Sequence, residues 1–214
     1  MMTGALFEAC VESLEEAREA AARGADRLEL CVDLAHDGCT PPIEPAAACV
    51  AAVTIPVVVM VRPRPGTFVF SVAEIEAMCS AIADLSARGT AGFATGVLAP
   101  TSEIDRSATA RLVEAAGDLP VTFHRAFDHV PNVIDGIETL IGLGVRRVLT
   151  SGGAESAMAG LDALRALVVR AAGRIEIVAA GGVRPFNVER VVESTGVPAV
   201  HARWTGWRQT LPVL

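Results

Sequence analysis

Short apolar runs and longer amphipathic stretches alternate along this chain, with one strand–helix unit roughly every 25–30 residues. The apolar runs predict β-strands at Leu6–Cys10, Arg27–Cys31, Val57–Arg62, Gly92–Val97, Val121–Arg125, Arg147–Ser151, Ile175–Ala179 and Ala199–His201. The stretches between them predict helices at about Ser13–Arg23, Glu44–Val53, Val72–Arg88, Asp105–Ala116, Val133–Leu143, Glu155–Ala172 and Asn187–Ser194. Ser13 reads as an N-cap, and Glu16 three residues later suggests a capping box. Gly24, Gly89, Gly117, Gly144, Gly173 and Gly196 fall where C-cap glycines are expected.

Eight strands interleaved with seven helices predict an α/β fold: one (β/α)8 TIM-barrel domain over residues 1–214. An open doubly wound sheet is the alternative, but no GxGxxG follows the first strand and eight strands exceed the usual six. After His201 only 13 residues remain. Trp204-Thr-Gly-Trp207 followed by Pro212 is a poor start for a helix, so the eighth outer helix is expected to be missing or reduced. That would expose apolar surface between the seventh and first helices, which a second subunit of a homodimer would cover.

Composition sharpens the picture. The chain is 51% hydrophobic but has only 7 Phe, 2 Trp and no Tyr, so Ala, Val and Leu must fill the core. That suits parallel strands buried on both faces. A net charge of −7 without any basic run speaks against nucleic acid. No charged leader or apolar segment of membrane length is apparent, and the expectation is a soluble cytoplasmic protein. Five Cys without a CxxC pair read as reduced thiols rather than a structural zinc site.

Chemistry in such barrels sits at the carboxyl ends of strands and in the loops beyond. Read in order, those ends carry Glu8 and Cys10, Glu29 and Cys31, then Arg62 and Arg64. The fifth strand adds His124, Arg125 and Asp128. The later strands add Ser151-Gly152-Gly153, then Gly181-Gly182-Val183-Arg184, and finally His201. Glu8-Ala9-Cys10 and Glu29-Leu30-Cys31 have the same pattern, and residues two apart on a strand share a face. Paired carboxylates suit acid–base work or ligation; the alternative is core ion pairing with Arg62 and Arg125, or a hydrogen bond to His124. Two thiols on adjacent strands can hold Cu(I), a soft ion, with Cys39 as a possible third ligand; the alternative is two small residues at the barrel rim. The glycine-rich turns can offer N–H groups to an anion, or can simply be tight turns.

The chain is similar to the CutC family of copper homeostasis proteins. The matching stretches are Phe7-Glu-Ala-Cys-Val-Glu-Ser13, Gly24-Ala-Asp-Arg-Leu-Glu-Leu-Cys31, Val59-Met-Val-Arg-Pro-Arg64, Val121-Thr-Phe-His-Arg-Ala-Phe-Asp128, Val148-Leu-Thr-Ser-Gly-Gly153 and Gly181-Gly-Val-Arg-Pro-Phe-Asn187. The resemblance implies a barrel with an incomplete helical ring, a dimer, and Cu(I) bound by Cys10 and Cys31. The chain departs from the family pattern at Asp37, Cys39, Pro42, Thr67, Ala91 and Arg203. Two functions stand side by side. One is a copper-binding protein using the two thiols. The other is an enzyme of lyase, isomerase or hydrolase type acting on a small anionic or phosphorylated metabolite. In that enzyme Glu8, Glu29 and His124 share acid–base work, and Arg62, Arg64, Arg125, Asp128, Ser151, Gly152, Gly153, Gly181, Gly182, Arg184 and His201 form the binding set. A dimeric scaffold whose polar core only specifies the fold is a third reading.

Overall fold

The computed structural model describes residues 4–208. Eight parallel strands close in sequence order: β1 (Leu6–Val11), β2 (Arg27–Leu30), β3 (Val57–Met60), β4 (Gly92–Thr95), β5 (Val121–Phe123), β6 (Arg147–Thr150), β7 (Glu176–Ala179) and β8 (Ala199–Arg203), with β8 pairing back onto β1. Seven helices fill the connections: α1 (Leu14–Ala22), α2 (Ile43–Ala52), α3 (Val72–Ser86), α4 (Arg106–Ala116), α5 (Val133–Gly142), α6 (Leu161–Ala171) and α7 (Val188–Thr195). The architecture is the (β/α)8 barrel that the alternation predicts.

The outward strand residues, such as Phe7, Leu28, Val59, Phe93 and Phe123, bury against the helices in one continuous core. Helix α1 meets that core through Ala17 and Ala20, residues small enough to bring helix and strands close. The glycines expected to end helices all adopt positive φ. At Gly196 the reason is direct: φ 70°, ψ 21° is a left-handed C-cap, and its N–H reaches the carbonyl of Val192.

Three local expectations change. Ser13 caps α1 through Glu16 N, but Glu16 turns its carboxylate to Glu12 N, so the box is only half formed. The reciprocal box belongs to α3, between Ser71 and Glu74. Helix α6 starts at Leu161 rather than Glu155. Residues ahead of it are tied across the barrel end: Ala157 N donates to Gly181 O, and a Cβ on Gly160 would lie 1.8 Å from Ser151 O.

Beyond β8 the described residues hold a short 3-10 turn, Trp204–Gly206, and the rest of the predicted tail (209–214) lies outside the described residues. The turn does part of the packing that an eighth outer helix would do. Trp204 and Trp207 are buried. Trp207 packs 4.5 Å from the Phe7 ring, and Trp204 Nε1 donates to Glu19 on α1. The flank expected to be bare is therefore covered where these rings lie.

Candidate metal and ligand site

Strand register decides which inward side chains meet. On β1 and β2, Glu8 is level with Arg27, and Cys10 is level with Glu29. This two-residue stagger, the shear that closing a barrel requires, offsets the two Glu-x-Cys pairs. The cysteines therefore do not form a layer of their own above the carboxylates: Glu29 lies among the thiols, and Glu8 lies a step deeper.

Glu8 is sealed in the barrel floor. Arg27 Nε donates to one oxygen, and His201 Nδ1 donates to the other at 2.8 Å. Arg27 Nη2 continues to Glu176 at 2.9 Å, and Arg147 lies 3.9 Å from the same Glu176 carboxylate. Burial would raise Glu8, but His201 and Arg27 outweigh it and hold its carboxyl down at about 2. Its partners are thus not Arg62, Arg125 or His124, as the sequence suggests. Arg27 is the residue that reading along strand ends misses, because it enters β2 at the opposite end. Its signal was parity: Arg27, Glu29 and Cys31 alternate onto one face.

Above the floor, the Cys10 and Cys31 sulfurs lie 3.5 Å apart, and Cys10 Sγ donates to Glu29 Oε1 at 3.7 Å. Donor atoms of Cys10, Glu29 and Cys31 all fall within 4.8 Å of one another; those of Glu8, Glu29 and His201 do too. Glu29 Oε2 is buried without a partner among the described residues. Burial raises Glu29 above the usual carboxylate range, with Glu8 adding to the rise against the pull of His201. Burial would lower His201, but the Glu29 and Glu8 carboxylates raise it instead. With His201 Nε2 3.8 Å from Glu29 Oε1, the two groups are close enough to titrate as a coupled pair. Contact with Cys31, then burial, then the two carboxylates push the Cys10 thiol well up, so it is protonated at neutral pH in the absence of metal.

The donor chemistry fits a soft cation. A linear two-sulfur site would need sulfurs about 4.6 Å apart, twice a metal–thiolate bond of roughly 2.3 Å. The observed 3.5 Å instead suits a bent pair completed by Glu29. Cys39 is not in this donor group; it sits in an antiparallel bridge with Val32. Cys49 is buried on α2, and Cys79 donates weakly to a backbone carbonyl of α4.

A cavity of about 310 Å³ opens over the thiols at the carboxyl end of the barrel. Of the candidate residues, Cys10, Glu29, Arg62, His124, Arg125, Gly181, Gly182, Arg184 and His201 line it. Asp37, Met60, Phe68, Leu149 and Arg203, which were not in the predicted set, line it as well. His124 packs so tightly that a Cβ on Gly96 would lie 2.6 Å from its ring. Its Nδ1 accepts the Ala126 N–H, which leaves the proton on Nε2. Burial first, then the nearby Arg62 charge, lower His124 to about 3, so the ring is neutral.

Other predicted residues lie elsewhere. Arg64 turns away to Glu74 at 2.5 Å and stacks on Phe70. Asp128 is a structural knot rather than a wall of the cavity. Its carboxylate accepts from Ser151 N, Gly153 N, both the Thr150 and Ser151 hydroxyls, and Arg125. Gly152 N donates to Thr150 Oγ1. The Ser151-Gly152-Gly153 amides are therefore already used, with Asp128 standing where an external anion was expected.

Comparisons with known proteins give the family. The CutC family model matches residues 5–206. A human protein named copper homeostasis protein cutC homolog is 41% identical over 198 residues, covering 92% of this chain and 72% of its own length. A CutC family protein of Caulobacter vibrioides is 41% identical over 201 residues, covering 94% and 82%. The solved structure of a CutC protein from Streptococcus agalactiae superposes with a TM-score of 0.88 at 32% identity, covering 92% of this chain and 97% of that one. Aldolase and mutase barrels superpose at 12–18% identity, a likeness of fold alone. A closed eight-stranded barrel, two paired Glu-x-Cys strands and a family match over nearly the whole length together place this chain in the CutC family.

Proposed function

We propose that this protein is a cytoplasmic copper-handling protein that takes up Cu(I) at Cys10 and Cys31, with Glu29 as a third donor. The observation that carries this reading is the buried Cys10–Cys31 contact of 3.5 Å with the Glu29 carboxylate beside it. Two sulfur donors select a soft monovalent ion over hard cations, and Glu29 adds charge balance. Its unpartnered Oε2 gives it a free lone pair to offer. The protonated Cys10 means that loading releases a proton, which His201 and Glu29 are placed to accept or pass on. All five cysteines are free thiols, which suits a reducing compartment. Among the described residues no helix is long and apolar enough to cross a membrane.

The test is Cu(I) titration under anaerobic conditions against a chromophoric chelator. The expected result is one tightly held ion per chain in the parent protein. In a Cys10→Ala, Cys31→Ala variant, affinity should fall by more than the roughly 10–100-fold that outer-shell changes cost. Unchanged affinity in that variant would remove the thiols from the function.

A further inference from the structure

The copper reading accounts for the bottom of the cavity and leaves its walls unexplained. Arg62 is only 3% exposed, yet no carboxylate lies within ion-pair reach of it among the described residues. Its Nη1 donates to the carbonyls of His36 and Gly38, its Nη2 to that of Gly66, and its plane lies 4.9 Å from the centre of the Phe68 ring. Its Nε has no partner among the described residues. Buried charges are ordinarily paired, and Arg64, two residues on, is paired. Beside Arg62, the His124 Nε2 is a second buried polar atom without a partner.

The opposite wall has a matching vacancy of partners. β7 lies four strands from β3 in the closed order, so its loop faces Arg62 across the mouth. There the N–H groups of Gly181 and Gly182 donate to no group among the described residues. Among the described residues the Arg184 guanidinium donates only to the carbonyl of its neighbour Val183 and meets no carboxylate. The neighbouring loop after β6 shows what a satisfied version looks like, because there Asp128 fills the amides and faces Arg125.

We propose that the cavity binds a small metabolite carrying two negatively charged groups, each a carboxylate or a phosphate. One group is received by Arg62 and His124, the other by Arg184 with the Gly181 and Gly182 amides. The neutral His124 acts as a donor rather than a charge, and charge recognition falls to the two arginines. Met60 and Leu149 give the middle of the cavity an apolar lining suited to a short carbon skeleton. Neither anchor point uses a thiol, although Cys10 lines the bottom of the cavity.

The test is calorimetric titration of the full-length, metal-free protein at pH 7.5. Succinate and 2-phosphoglycolate serve as the two-headed probes, with acetate and inorganic phosphate as single-headed ones. The expected result is saturable one-to-one binding of at least one two-headed probe, at least tenfold tighter than either single-headed probe. Whichever of the two binds more tightly separates a dicarboxylate from a phosphate-bearing ligand. Arg62 also ties three loop carbonyls together, so the deciding variant is the half-buried Arg184→Gln, which should weaken binding at least tenfold. Arg64→Gln should bind like the parent, and the Cys10→Ala, Cys31→Ala variant should keep saturable binding. No saturable binding of either two-headed probe, or undiminished binding in Arg184→Gln, would overturn the proposal. Loss of copper binding in the thiol variant with probe binding intact would leave it standing.

Discussion

The floor and the mouth of this barrel are built from the same residue types and do opposite things. In the floor, Glu8 has both oxygens taken, by Arg27 and the Nδ1 of His201, and Arg27 goes on to Glu176; only Arg147 at its edge, 3.9 Å from Glu176, keeps a buried Nη1 without a partner among the described residues. One step higher, Glu29, Arg62 and His124, which all line the cavity, each keep one buried polar atom without a partner among the described residues. A buried carboxylate is not by itself a sign of chemistry. The difference lies in whether neighbours complete its hydrogen bonds, because an incomplete set is costly to fold and, beside a cavity, can be completed by something that binds.

The largest expected effect breaks the floor. Arg27→Met leaves Glu8 and Glu176 without their shared partner and should destabilise the protein by about 3–5 kcal/mol in urea unfolding. The Cys10→Ala, Cys31→Ala variant in the mouth should cost only about 1–2 kcal/mol in the same experiment. If the mouth variant is the less stable of the two, the contrast fails.

A second prediction concerns pH. Glu8 titrates far below its unfolded value, so its stabilisation is present above about pH 4.5 and is lost as pH falls toward about 2. Glu8→Gln should therefore be less stable than the parent near neutrality by roughly 3 kcal/mol, from 1.36 kcal/mol per pKa unit. The gap should close across that acid window in unfolding experiments run from pH 7 downward. A gap independent of pH would mean that the ion pairs to Arg27 and His201 are not its source.

Copper affinity should also depend on pH, in the opposite region. Because the Cys10 thiol is held protonated, each ion bound must displace its proton, and apparent affinity should rise by at least about tenfold per pH unit through neutrality. Competition titrations at pH 6.5 and 7.5 measure this directly, and a flat profile would exclude Cys10 as a ligand. Glu29→Gln, which keeps the shape of the third donor but removes its charge, should weaken Cu(I) by on the order of tenfold in the same titration. The smallest effect belongs to Arg64→Gln. It removes a partly exposed pair worth under about 1 kcal/mol and should alter neither metal nor anion binding.

Much of the fold was legible in the chain. Apolar runs marked each strand to within two residues at either end, and the glycines marked the ends of helices. What the pattern left out depends on long-range geometry. The two-residue stagger between β1 and β2 comes from closing the barrel, and no feature of the Glu-x-Cys strings encodes it. It moves Glu29 into the thiol group and gives Glu8 to Arg27. The Ser151-Gly152-Gly153 turn resembled an anion cradle because sequence cannot tell an empty cradle from one already filled, here by Asp128. Trp204 and Trp207 looked like a failed helix and turn out to be packing residues against Phe7 and α1.

X-ray absorption at the copper edge of the Cu(I)-loaded protein tests the central claim most directly, since it counts the donors around the ion. The account predicts two sulfur neighbours and one lighter donor, with the lighter donor lost in Glu29→Ala and the sulfur shell lost in the Cys10→Ala, Cys31→Ala variant. A copper environment of nitrogen and oxygen alone, or one unchanged when both cysteines are removed, would contradict it.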